Sequence, residues 1–239
     1  MQTTAVSLPE WKTRGATSWP ATRWAGVAGL TFLALLLLQN VLAGTSYPPN
    51  SATAPQILLF ARNDARIVEF LFLTYVIGFP ALLTFAAGLS QLAARRNSRA
   101  SLPARLGQYS VVAVAAFFGL ANIVQVTLVA ARGDLIGDFA LVRTLWTLHN
   151  ALFILNFVAL AGALFGLGRA AAIADIVPGW MRWVSLAGAL ALAVSALPIV
   201  AEVHGSKLLA LGLAGFLCWL IFLAVAGISL LRMPHGQES

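Results

Sequence analysis

The chain has 239 residues, 60% of them apolar and 10% charged, with a formal charge of +7. Soluble domains run to roughly 45–50% apolar and about 25% charged, so this composition excludes a chain that covers itself with polar surface in water. The basic excess would suggest nucleic acid in a soluble protein, but here it sits in short segments between apolar runs, which is the pattern of membrane topogenesis, and no nucleic-acid partner is expected.

A polar tail over 1–23 leads into the first apolar span, 24–43. Further spans long enough to cross about 30 Å of hydrocarbon follow at 67–93, 109–131, 145–168, 181–203 and 207–231, and 232–239 forms a short polar tail. The expected fold is all-α: a polytopic membrane helical bundle of six transmembrane helices over 24–231. The first span admits a second reading, because Lys12, Arg14 and Arg23 precede it and Val41-Leu42-Ala43 resembles a signal-peptidase site; cleavage would leave five spans. The loop 44–66 is the one long connection. Its Tyr47-Pro48-Pro49-Asn50 breaks structure, and the apolar patch Ile57–Phe60 is expected on the membrane surface or as a cap over the outer face. Pro80 and Pro198 interrupt the second and fifth spans. At Pro198 the carbonyl of Val194 loses its helical donor, which predicts a bent or loosened turn, structural or functional.

Lysines and arginines alternate along the chain. Ten lie in the N-terminal tail, the loops 94–108 and 169–182 and the C-terminal tail; five lie in the remaining loops. The positive-inside rule therefore puts both termini in the cytoplasm. Trp24, Trp180 and Trp183 at the inner boundary and Trp146 at the outer one read as an aromatic belt.

Burying a charge or an amide in hydrocarbon costs several kcal/mol unless it is paired or faces water, so the depth of each polar residue is informative. With this orientation the polar side chains gather in the outer halves. Gln39 and Asn40 end the first span, Glu69 begins the second, and Asn122 and Gln125 lie in the third. His149, Asn150 and Asn156 descend the fourth, and Glu202 and His204 finish the fifth. The inner halves offer little beyond Ser90, Gln91 and Ser229. The spacings 122/125 and 149/156 each put two polar residues on one helix side. Such stripes turn toward the bundle interior, which predicts an outward-opening polar cavity lined by Asn40, Glu69, Gln125, His149, Asn150 and Glu202.

Each of these residues also has a plainer reading. Glu69 can pair with Arg66 at the headgroup level, His149 can be an interfacial or hydrogen-bonded histidine, and Glu202 and His204 can be loop residues in water. The amides of Asn122, Gln125 and Asn156 can serve as helix-to-helix glue at about 0.6 kcal/mol per bond. No catalytic, phosphate-binding or metal motif is present, and the single cysteine, Cys218, gives neither an intrachain disulfide nor a cysteine-based metal site. No metal or cofactor is expected. Gly162-x-x-x-Gly166, Ala25-x-x-x-Gly29 and Gly212-x-x-Gly215 are small-residue seams suited to close helix contact, within the chain or between copies of it.

The order of these features resembles a known group. An external loop precedes Asn63-Asp64-Ala65-Arg66-Ile67, Leu102-Pro103-Ala104-Arg105-Leu106-Gly107 precedes the third span, Trp146-Thr-Leu-His149 opens the fourth, and Val177-Pro178-Gly179-Trp180 precedes the fifth. Taken together the chain is similar to a family of small bacterial, often actinobacterial, membrane proteins of unknown function. The resemblance implies a six-helix fold in the bacterial plasma membrane, and no reaction, ligand or catalytic residue. The expected function is a binding or accessory protein in contact with membrane lipid, its outer cavity holding a small ligand, a headgroup or a partner helix. The alternatives are a membrane-embedded enzyme on a lipid or isoprenoid, with Glu69 or Glu202 as acid, and a small transporter. The apolar inner halves speak against the transporter.

Overall fold

The computed structural model describes residues 21–44, 47–203 and 207–233. Most of the N-terminal tail, His204 and the last six residues lie outside them, as does the side chain of Glu202, although its backbone belongs to a helix.

The described chain is helical, without a strand. Eight α-helices follow in order: α1 (Ala21–Ala43), α2 (Ala54–Asn63), α3 (Ala65–Arg96), α4 (Ser101–Ala130), α5 (Phe139–Ile173), α6 (Met181–Ala196), α7 (Ile199–Val203) and α8 (Leu209–Arg232). Five of them, α1, α3, α4, α5 and α8, are long and apolar enough to cross a membrane. They and α6 form a closed ring in which neighbours touch in the order α1, α3, α4, α5, α6, α8 and back to α1. Helix α5 leans inward and also contacts α3 and α8. It buries 61% of its apolar window, against 33–39% for the other four long helices, so it is the core of the bundle.

The outward faces carry Phe72, Val76, Ile77, Val112, Ile123, Leu155, Leu190 and Leu217, all exposed. Charges stay at the ends: α3 is uncharged from Phe70 to Ala94, α4 from Leu106 to Ala130 and α5 from Thr144 to Gly168. An apolar band of this extent, free of charge, is a lipid-facing surface; a soluble monomer rarely exposes a patch beyond a few hundred Å².

Several local outcomes differ from the sequence expectation. Helix α4 begins at Ser101, eight residues before the expected span, because Pro103 falls in the first turn, where no backbone N–H is required. Pro198 breaks its span outright: α6 ends at Ala196 and α7 starts at Ile199. The carbonyl of Val194, deprived of a donor at residue 198, accepts from Leu197 N at 3.3 Å in a tighter turn. The patch Ile57–Phe60 lies in α2, started by a capping box in which Gln56 Oε1 accepts from Thr53 N at 2.8 Å. Of the patch, Ile57, Leu58 and Phe60 are buried on the bundle and only Leu59 is exposed, so this helix caps the bundle's end.

The small-residue seams pack within the chain. A Cβ on Gly107 would stand 2.6 Å from Leu167 N, and one on Gly215 2.7 Å from Gly188 O, so backbones of α4 and α5, and of α6 and α8, lie in contact. Gly162 faces Ser110, and Gly88 faces Ala25.

Candidate functional site

At the end of the bundle beneath α2, helices α1, α3, α4 and α5 part enough to leave a cavity of about 230 Å³. Tyr47, in the segment leading to α2, roofs it. Gln39 and Asn40 come from the last turn of α1, Tyr75 from α3, Phe118, Asn122 and Gln125 from α4, and His149 and Phe153 from α5. Gln125 lies five residues, about 7.5 Å, from the end of α4 at Ala130, and His149 six residues, about 9 Å, along α5 from Arg143, so the site lies below the charged rim.

Two hydrogen-bonded sets line the walls. His149 Nδ1 faces the Ala121 carbonyl at 3.0 Å and must donate to it, which fixes the Nδ1–H tautomer and leaves Nε2 as the acceptor. Gln125 Nε2 donates to that nitrogen at 3.1 Å. Gln125 is 2% exposed; its amide lies beside the Tyr47 phenol, yet its Oε1 has no hydrogen-bond partner among the described residues. On the other wall Gln39 Nε2 donates to the Tyr75 hydroxyl, bridging α1 to α3. Asn122 stands next to that hydroxyl and donates its own Nδ2 to Phe118 O at 2.7 Å. Asn40 turns back on its helix, donating to Leu36 O at 2.7 Å.

Aromatic rings complete the enclosure. Trp146 is buried, stacks on His149 at 5.0 Å and 24°, and donates its Nε1 to Pro49 O at 3.3 Å. It therefore anchors the roof rather than joining an interfacial belt, whereas Trp24, Trp180 and Trp183 at the other end are exposed. Tyr47 packs 5.1 Å from Phe60 and 6.4 Å from both Trp146 and His149. Burial pushes the Tyr47 phenol far above its ordinary value, so it is a neutral hydroxyl at any physiological pH.

Of the six residues expected to line a cavity, Asn40, Gln125 and His149 do so. Asn150 is buried just above it and donates to Asn50 O at 3.4 Å, holding the roof segment. Glu69 lies on the exposed side of α3. Glu202 has no described side chain. Asn156, on the same helix side as His149 by spacing, is buried away from the cavity with neither amide atom partnered among the described residues. Tyr47 and Tyr75 also line the cavity but are not among the sequence candidates for it, which rest on charges, amides and imidazoles and not on phenols. A tyrosine within an otherwise apolar span, as at 75, is the signal that points to it.

No charged side chain is among the described residues lining the cavity, and no cluster of metal-ligating side chains occurs among the described residues. Fold and site together define the class: a multi-pass helical membrane protein with an uncharged, aromatic and amide-lined pocket at one end of its bundle. No family model, curated protein or solved structure matches the chain.

Proposed function

We propose that this is a ligand-binding protein of the bacterial plasma membrane that crosses the bilayer six times, with both termini cytoplasmic and the pocket beneath α2 opening outward. In this reading α6 and α7, joined across Pro198, make the fifth crossing. The excess of arginine at the opposite end of the bundle supports the orientation, and the resemblance of the chain's motifs supports the compartment.

The observation that carries the binding role is Gln125: an amide 2% exposed, committed through its N–H to His149, with an unsatisfied carbonyl oxygen in a lined cavity. An unmade hydrogen bond in such a place costs about 1–3 kcal/mol, which a ligand carrying an O–H or N–H group would recover. The cavity holds no counter-charge, so the ligand is neutral, since an unpaired ion there would lose its hydration without compensation. Its volume lies below the ~300–1,000 Å³ of drug-sized sites, which fits a small, flat molecule or the head of a larger lipid whose tail leaves between helices. Tyr75, Phe118 and Phe153 supply its apolar contacts. An enzyme using an intramembrane carboxylate finds no support at this pocket, where Glu69 takes no part.

Native mass spectrometry and lipidomics of the purified protein test the proposal. One neutral molecule should co-purify at near one-to-one stoichiometry and be lost from Gln125→Leu. A protein that is fully apo, with Gln125→Leu indistinguishable from it, would overturn the reading.

A further inference from the structure

The opposite end of the bundle carries a second feature that the pocket beneath α2 does not use. Helices α5 and α6 enclose a groove of about 450 Å³ lined by Phe165, Arg169, Arg182, Trp183, Ser185 and Leu186. Gly168 makes this groove possible: it lacks the Cβ that would meet Ser185, so the two helices close at the floor while the longer side chains on either side spread apart. Arg169 projects from α5 and Arg182 from α6, both exposed, and no carboxylate is among the described residues lining the groove. The Arg182 guanidinium lies 5.0 Å from the centre of the Trp183 ring, an arrangement that steadies the charge without neutralising it. Ser185 is 2% exposed and its hydroxyl has no hydrogen-bond partner among the described residues. Below the arginines, on the bilayer side, Phe165 and Leu186 continue the groove as exposed apolar surface.

We propose that this groove is a binding site for an anionic phospholipid. Its headgroup phosphate sits between Arg169 and Arg182, and an acyl chain runs along Phe165 and Leu186. Two forked guanidiniums from different helices suit a phosphodiester, to which arginine donates in pairs, and Trp183 sits at the depth where indole rings occupy the headgroup boundary. The wider setting agrees in sign: the described residues at this end include Arg23, Arg95, Arg96, Arg99, Arg105 and Arg232 as well, against the single carboxylate Asp175. Free phosphate would satisfy the arginines alone; a lipid also accounts for the apolar wall. The site is independent of the pocket beneath α2.

Native mass spectrometry of the full chain in detergent, titrated with dioleoyl phosphatidylglycerol, with the matching phosphatidylcholine and with inorganic phosphate, tests the assignment. Phosphatidylglycerol should be retained roughly 25-fold more than phosphatidylcholine, and inorganic phosphate should not be retained. Each arginine near a membrane surface contributes roughly a fivefold preference, so Arg169→Gln with Arg182→Gln should bring phosphatidylglycerol down to the phosphatidylcholine level. Arg169→Lys with Arg182→Lys, which keeps the charge, should hold most of the preference and shows that the pair is not needed merely for folding. Arg62→Gln with Arg66→Gln, at the other end, should change nothing. Equal retention of the two lipids, an unaffected glutamine double variant, an equal loss in the Arg62/Arg66 control, or retention of inorganic phosphate as strong as that of the lipid would each overturn the assignment.

Discussion

His149 and Gln125 illustrate how polar residues persist inside an apolar bundle: each satisfies part of the other, and one acceptor is left over. Replacing Gln125 with leucine leaves buried His149 Nε2 without its partner, and the loss should cost about 1–3 kcal/mol. Thermal unfolding of the ligand-free protein in detergent measures it; a transition unchanged within about half a kcal/mol would mean the Gln125–His149 contact is not made. Replacing His149 with phenylalanine keeps the stack on Trp146 but strands the buried Gln125 amide, so its cost should be similar, about 1–3 kcal/mol. Tyr47 offers a separate test. Its phenol is raised by burial, so the neutral form is the one the fold favours. The sign follows: the associated stability is complete below the ordinary phenol value of about 10 and fades only as pH rises above it. In an alkaline titration followed by phenolate absorbance, the difference between the parent protein and Tyr47→Phe should stay near zero until well above pH 10. A Tyr47 component ionising near pH 10 would mean the roof is open to water.

At the level of elements, two devices set the geometry. Close contact between α4 and α5 depends on Gly107 and Gly166, whose missing side chains let the backbones touch. Gly166→Leu has nowhere to go but into the backbone of α4, at a cost of about 1–3 kcal/mol or more, and because the pocket lies between these helices, ligand retention should fall with stability. Gly119, on the same α4, faces open space, so Gly119→Ala should be neutral or stabilising by up to about 1 kcal/mol. Comparing the two by thermal unfolding separates helix packing from helix propensity; equal effects would contradict the contact. The other device is α2. Its buried Ile57 and Phe60, with Trp146 tied to Pro49, hold Tyr47 over the cavity.

For the whole molecule, the ring of six helices, with α5 leaning into its middle, places one polar pocket at one end and the arginine-rich rim at the other. Topology is open to direct measurement. In a Cys218→Ser background, single cysteines at Ser51 and Arg132 should react with an impermeant maleimide in intact cells, and a cysteine at Arg99 should react only after permeabilisation. The reverse pattern would invert the orientation and with it the outward opening of the pocket.

Five of the six expected spans were legible as membrane-length apolar helices, because a bilayer imposes a length and an absence of charge on each crossing, and both are properties of consecutive residues. Even the break at Pro198 follows from a missing N–H. Asn40, Gln125 and His149 were legible as pocket candidates from depth alone, since amides and imidazoles are costly in hydrocarbon wherever they fall. Depth does not reveal which way a helix turns. Glu69 and Gln125 fall toward the same end of the bundle by sequence, but only the tertiary packing turns one outward and the other in. Tyr47 reaches the site from a connecting segment, and Trp146 becomes part of a roof because α2 folds over it. Such placements depend on contacts between residues about 80 to 100 positions apart, which no local pattern in the sequence encodes.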